Sequence, residues 1–272
     1  MYEIINMSTL TTLGIGGKAR VYNVSSLNGL DDLLGCDGIA WGNGSNVLVS
    51  DYGITQPVLY NRLTSFEFEG NLLKAQSGCS ISRLALGCAK RGLSGLEWAY
   101  MLPATVGGAT VMNAGAFGKS VSDCVLEVEV FRNGRVMTLS RSDCGFSYRK
   151  SNFFKSDFII SVTFKLEQSN EQDCRQLIAS TQLKRNGQPK GKSAGCVYKA
   201  VGQGSGYYID KAGLKGEREG DIYVSPIHAG FFINAGNGTA KQMLTLMQRV
   251  EKRVENEFGI KLEREILLIG DF

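Results

Sequence analysis

Two hydrophobic periodicities share this chain. Val125–Ser140, VLEVEVFRNGRVMTLS, alternates apolar and polar residues on both sides of Asn133-Gly134, which predicts a β-hairpin with a two-residue turn. RVYNV at 20–24 and LLKAQSG at 72–78 read as further strands. Ile39–Asp51, IAWGNGSNVLVSD, reads as strand, glycine-rich loop, strand. Elsewhere the period lengthens to that of a helix. After Ser80, a plausible N-cap, Ile81, Leu84, Ala85 and Cys88 form one apolar stripe. Cys79 and Cys88 read as core filler. Glu171–Leu183 predicts an amphipathic helix with Cys174, Leu177 and Ile178 inward. Thr239 predicts the cap of a last helix, with Met243, Met247, Val250, Val254 and Phe258 on one face and Gly259 ending it. The closing KLEREILLIG reads as a strand with Glu263 and Glu265 on the same face. The mixture predicts an α+β fold.

One stretch fits neither period. Gly92–Gly118, GLSGLEWAYMLPATVGGATVMNAGAFG, has six glycines and a single charged residue, Glu97, in 27 residues. A surface helix needs a polar stripe, and a plain buried strand does not need so many glycines. The composition fits either a tight glycine-rich core crossover or a cradle where backbone lies against a ligand. The loop Gly42–Asn46 raises the same pair of alternatives, since glycines at 42 and 44 permit an anion-binding nest and equally an ordinary polar loop. Gly14-x-Gly16-x-x-Ala19 matches a dinucleotide fingerprint on paper. That motif requires a following helix, and the strand-like RVYNV follows instead, so a Rossmann reading is rejected.

Composition narrows the function classes. With 272 residues the chain can bury a large core, and 34 glycines against 4 prolines suit a loop-rich globular enzyme. The net charge of +4 is modest and unclustered, which argues against a nucleic-acid binder and leaves room for a small anionic ligand. Seven scattered cysteines without a CxxC suggest neither a disulfide framework nor a metal site. The start MYEIINMSTLTTLG lacks the features of a signal peptide, and no run has the length of a transmembrane helix. A cytoplasmic protein with no membrane partner is expected.

GLSGLEWAYMLPATVGGATVMNAGAFG resembles the flavin-binding signature of the UDP-N-acetylenolpyruvoylglucosamine reductase (MurB) family, with Ala104 in place of a usual Gly and Phe117 in place of a usual Tyr. Further blocks extend the resemblance. GNGSN at 42–46 resembles the family's FAD pyrophosphate loop, CGFSYRKSNFFK its substrate-carboxylate block, and SAGCVYKA its proton-donor segment. The ending LEREI is similar to the family's LEPEV, with Arg264 in place of Pro. The chain is too short for the insertions of the larger variant and resembles the smaller one.

The resemblance implies a two-part FAD-binding region of the vanillyl-alcohol-oxidase/MurB type plus a C-terminal α+β substrate-binding domain. The implied parts are 1–62 completed by 266–272, 63–184, and 185–265. FAD, bound non-covalently, would be held by Gly42, Asn43, Gly44, Ser45 and Asn46, by Pro103, Thr105, Val106, Gly107 and Gly108, and by Asn113, Ala114 and Gly115. Its pyrophosphate is expected on backbone N–H groups of Gly42–Asn46 and of the Thr105–Gly108 turn. The implied reaction is NADPH-dependent reduction of UDP-N-acetylglucosamine enolpyruvate to UDP-N-acetylmuramate for peptidoglycan synthesis, by a monomer. Arg149 would face the substrate carboxylate and Glu265 would stabilise the enol-like intermediate. Cys196, where the family has Ser, would deliver a proton; an ordinary thiol, with a pKa of about 8.5, is mostly protonated at neutral pH.

Two departures are open. Gly187 stands where a substrate-contacting Lys is usual, and Lys184, Arg185, Lys190 or Lys192 could supply that charge. His228, the only histidine, reads as structural or substrate-adjacent. Two competing readings are another FAD-dependent oxidoreductase of the same fold and a non-catalytic nucleotide-sugar-binding relative. A tether from FAD to a histidine near the N-terminal loop is unavailable, because no His precedes residue 228.

Overall fold

A computed structural model describes residues 1–272. The chain folds as two compact units: Met1–Tyr2, Val21–Asn43 and Gln56–Asn186 make the first, and Glu3–Arg20, Gly44–Thr55 and Gly187–Phe272 the second. This differs from the three-part division expected from the sequence. The Glu3–Arg20 and Gly44–Thr55 segments contribute their contacts to the C-terminal unit.

The first unit is built on a five-stranded antiparallel sheet, in the order Arg135–Ser140, Val125–Arg132, Phe158–Lys165, Leu72–Gln76, Phe66–Glu69. The predicted hairpin is present, with Arg132 opposite Arg135. Asn133 and Gly134 both take positive φ, at 49° and 73°, as the tight turn requires. Sheet residues Leu73, Ala75, Val128, Val130, Val162 and Phe164 pack in one buried core with helical Ile81, Leu84, Ala85 and Cys88. Ser80 caps that helix, Ile81–Ala89, by accepting from Arg83 N–H.

The helix predicted at Glu171–Leu183 extends over Glu171–Asn186 and buries Cys174, Ile178 and Thr181. Leu177, expected inward, is 49% exposed. The buried positions step by four and three residues and so make a narrow stripe. At about 100° per residue, Leu177 falls beside it. In the same unit Ile39–Trp41 runs parallel to Val58–Tyr60, over a smaller core of Val24, Leu30, Leu34, Leu59, Leu63, Phe131 and Phe158.

The second unit centres on helix Ala240–Phe258, which buries Met243, Leu246, Met247, Val250 and Val254. It packs in one core with Ile222, Val224 and Phe232 of a three-stranded antiparallel sheet, Arg218–Glu219, Ile222–Val224 and Phe232–Asn234. Thr239 and Gln242 form a capping box, and Asp51 accepts from Ala240 and Lys241 N–H at 2.8 and 3.0 Å, anionic charge at the end where the dipole favours it. Phe258 is 36% exposed and tilts against Tyr208 rather than completing the buried face.

The last strand is shorter than expected, Leu267–Ile269, and runs parallel to Val47–Val49. Upstream of it, Lys199 N–H donates to Glu263 O and Glu265 N–H to Val197 O, both at 2.8 Å. Between them Arg264 pairs with Glu251 at 2.6 and 2.8 Å. No helix follows the Thr11–Gly17 loop; strand Lys18–Val24 does.

Candidate functional site

In the first unit, strand Ile39–Trp41 delivers Gly42 and Asn43 to the turn that begins at Pro103. Asn43 Nδ2 donates to Pro103 O at 2.9 Å. A Cβ on Gly42 would lie 2.4 Å from Thr105 Oγ1, so only glycine permits this approach. Thr105 caps the short helix Val106–Val111 by accepting from Gly108 N–H at 3.2 Å.

Three N–H groups of the Thr105–Gly108 turn bond to the protein's own atoms. Val106 N–H donates to Cys79 O at 2.9 Å and Gly107 N–H to Ser77 O at 2.8 Å. With Gly108 N–H on Thr105, three donors of the predicted Thr105–Gly108 set close on the protein's own atoms. Val106 and Gly107 are both buried and satisfy their N–H groups within the protein, as buried donors must.

Asn113 is 7% exposed, sits at φ 39°, and joins two loops. Its Nδ2 donates to Ser147 O at 2.9 Å and its Oδ1 accepts from Ser122 N–H at 3.0 Å. Ala114 N–H donates to Ala109 O, and Gly115–Ala116 pairs with Lys119–Ser120. Asn113 thereby fixes the Ser147–Lys150 turn, closed by reciprocal backbone bonds of 3.0 and 3.1 Å. Arg149 stands in that turn at φ 55°, its guanidinium 5.6 Å from the Tyr148 ring centroid. A left-handed conformation in a non-glycine residue costs on the order of 1 kcal/mol or more and is concentrated at functional sites. Arg185, one of the four candidates for the charge absent at Gly187, donates from Nη2 to Trp98 O at 2.9 Å and lies 5.3 Å from the Phe117 ring centroid.

The chain passes into the second unit between Asn43 and Gly44. Gly44 is at φ 58°, and a Cβ there would be 2.1 Å from Leu10 O. Gly44 O accepts from Thr12 N–H at 3.1 Å, and Asn46 O from Leu267 N–H at 3.0 Å. Asn46 Nδ2 donates to Glu265 O at 3.0 Å. Sequence reasoning did not single out Thr12, because its role depends on a partner more than thirty residues downstream.

The same unit gathers Cys196 and Glu265 through backbone bonds. Val197 O accepts from Glu265 N–H, and Val197 N–H donates to Gly230 O at 2.9 Å. Cys196 is half-buried and bridges to Phe231, with Sγ 3.4 Å from the place a Gly230 Cβ would take. His228 Nδ1 accepts from Gly230 N–H at 3.0 Å, which places the neutral ring's proton on Nε2.

Uncharged, glycine-containing backbone of this kind suits close approach of a phosphate. The 42–46 loop has no charged side chain, and both of its glycines lack room for a Cβ. It holds its neighbours through the carbonyls of Gly44 and Asn46 and the amides of Asn43 and Asn46. No group of three or more His, Cys, Asp or Glu side chains is arranged to hold a metal. No helix is long and apolar enough to cross a membrane.

Comparison with known proteins matches these features. Residues 35–140 match the FAD binding domain, and residues 188–269 match the UDP-N-acetylenolpyruvoylglucosamine reductase C-terminal domain. The UDP-N-acetylenolpyruvoylglucosamine reductase of Caldicellulosiruptor saccharolyticus is 38% identical, over 98% of this chain and 91% of its own. That of Thermus thermophilus is 37% identical, over 97% and 98%. The crystal structure of the enzyme (MurB) from Thermus caldophilus superposes with a TM-score of 0.91 at 34% identity, covering 99% of both chains. Full-length identity at this level, together with the matched domains and fold, establishes that the chain belongs to the UDP-N-acetylenolpyruvoylglucosamine reductase family.

Proposed function

We propose that this protein reduces UDP-N-acetylglucosamine enolpyruvate to UDP-N-acetylmuramate with NADPH, through non-covalently bound FAD. The observation that supports this reading best is near-complete coverage of relatives bearing that activity in their name, joined to a second unit that gathers Cys196 and Glu265 around Val197. FAD supplies hydride transfer from NADPH to the enolpyruvyl group, and the protein supplies position and electrostatics.

The Gly42–Asn46 loop would bind the pyrophosphate. The wall from Pro103 to Gly108 and the Asn113–Gly115 turn would shape the rest of the FAD site. Arg149 would bind the enolpyruvyl carboxylate, in the two-pronged geometry that guanidinium offers. Negative charge develops on that carboxylate and its neighbouring carbon as hydride arrives. Fixed donors aimed at such charge stabilise the transition state more than the ground state. Glu265 would hydrogen-bond the enol-like intermediate in a protonated or proton-shared state. Cys196 would then complete the reaction: its S–H bond breaks as a C–H bond forms at the carbon beside the carboxylate, and water returns a proton to the thiolate. Residues 185–265 would form the part that binds the substrate, the protein would act as a cytoplasmic monomer, and no nucleic acid would take part.

The test uses purified protein. It is expected to be yellow, to release all its colour on acid precipitation, and to oxidise NADPH only when the enolpyruvyl sugar is present. Colour retained in the pellet, or NADPH oxidation indifferent to the sugar, would sink the reading.

A further inference from the structure

Arg264 stands beside Glu265, where the chain returns from helix Ala240–Phe258 toward the last strand. It lies opposite Tyr198 in an antiparallel bridge. Both bonds of that bridge come from neighbouring residues, Lys199 N–H to Glu263 O and Glu265 N–H to Val197 O. Residues opposed in this way send their side chains to one face, and here that face meets the helix. Tyr198 Oη donates to Met247 O at 3.0 Å, and Arg264 Nε and Nη2 donate to Glu251 Oε1 and Oε2 at 2.6 and 2.8 Å. Met247 and Glu251 are one helical turn apart.

Arg264–Glu251 is the most buried ion pair of this helix, with side chains 28% and 25% exposed, against 42% and 34% for Arg249–Glu219. Two parallel bonds in a partly buried place fix geometry, whereas exposed pairs are screened and loose. Alternation then turns the Glu265 side chain to the face opposite Arg264. The backbone of Glu265 is held at both ends, its N–H by Val197 O and its carbonyl by Asn46 Nδ2 at 3.0 Å. Val197 directly follows Cys196. The strut to the helix and the two proposed reacting side chains therefore share one short piece of ladder.

We propose that Arg264 is a positioning residue for Glu265: its paired bonds to Glu251 fix the backbone from which the Glu265 carboxylate projects toward substrate. This rests on the role given to Glu265 above. Arg264 touches no reacting atom and acts through its neighbour. A misplacement of about 1 Å costs on the order of 100-fold in rate. An interaction that matters only at the transition state shows in the rate, with substrate affinity kept. The bonds to Val197 and Asn46 remain when the strut is lost, so a partial loss is expected. A proline at 264 offers a second way to hold this point. Its ring restricts φ to about −65°, and it removes neither bond of the bridge, since those belong to Glu263 and Glu265.

The experiment uses FAD-loaded enzyme, reduced by NADPH and then mixed with increasing enolpyruvyl sugar, at a temperature where each variant is folded by its own melting curve. Arg264→Met and Glu251→Gln each remove the strut from one side, so either serves if the other does not fold. Both are expected to be reduced by NADPH at the wild-type rate, to half-saturate at the wild-type sugar concentration, and to reoxidise about 10–100-fold more slowly at saturation. The double variant is expected to be no slower than the singles, because the two side chains act as one unit. Arg264→Pro is expected to recover most of the rate without the charge. Wild-type reoxidation in the folded single variants, with only the melting temperature lowered, overturns the inference, as does an Arg264→Pro enzyme as slow as Arg264→Met. Glu265→Gln separates the two claims. If it is slow while Arg264→Met is fast, the role of Glu265 stands and this inference fails. If Glu265→Gln reoxidises at wild-type speed, both fail.

Discussion

Burial divides the seven cysteines into chemically different groups. Removal from water disfavours the thiolate, so burial pushes Cys88 and Cys124 up to about 12 and Cys144 up to about 11. Only the thiolate is a nucleophile. Cys36 is exposed and Cys196 half-buried. Brief alkylation of the folded protein near pH 8 is expected to modify Cys36 and, more slowly, Cys196, while Cys88, Cys124 and Cys144 react only after denaturation. Peptide mass spectrometry reads this directly, and labelling of Cys88 in native protein would contradict it. At this scale the sequence was most legible where one residue decides locally: the Ser80 and Thr239 caps and the core role of Cys79 and Cys88 are all visible in spacing and residue type. It was least legible for the N–H groups of Val106 and Gly107. Their acceptors, Cys79 and Ser77, lie 27 and 30 residues upstream, and local spacing says nothing about such pairing.

At the level of elements, period-two alternation located the hairpin because Asn133-Gly134 also fixed its register. Helical stripes gave existence and direction but overestimated width, at Leu177 and Phe258. Charge pairing across the sheet was not anticipated at all. Glu129 on strand Val125–Arg132 accepts from Ser161 Oγ and lies 3.1 Å from Lys74 Nζ. The Ser161 hydrogen bond first, and Lys74 second among the favourable causes, hold its carboxyl below the ordinary range against an opposing effect of burial. A lowered folded-state pKa adds stability that is present above the unfolded value, about 4.3, and lost as pH falls through the folded value. Glu129→Gln is therefore expected to lower the melting temperature at pH 7 and to narrow its gap from wild type toward pH 3. A gap independent of pH would show that Glu129 contributes packing only.

For the whole molecule, the sequence identified the chemistry better than the division of the chain. Resemblance placed FAD chemistry across 42–118 and reductase chemistry toward the C terminus, consistent with the matched regions 35–140 and 188–269. The partition into two units with an interleaved N-terminal region was not visible, because it depends on where Glu3–Arg20 and Gly44–Thr55 find their contacts. The proposed mechanism depends on one sequence of events: hydride arrives through FAD, and Cys196 then supplies the proton. Anaerobic rapid mixing tests it by separating the half-reactions in wild type, Cys196→Ala and Cys196→Ser. Reduction of the flavin by NADPH is expected to be equal in all three. Reoxidation by the enolpyruvyl sugar is expected to slow by about 10²–10⁴-fold in Cys196→Ala, the usual size of a lost general acid, and to recover largely in Cys196→Ser. A reduced wild-type flavin that the enolpyruvyl sugar does not reoxidise, or a Cys196→Ala enzyme that reoxidises at wild-type speed, would contradict it.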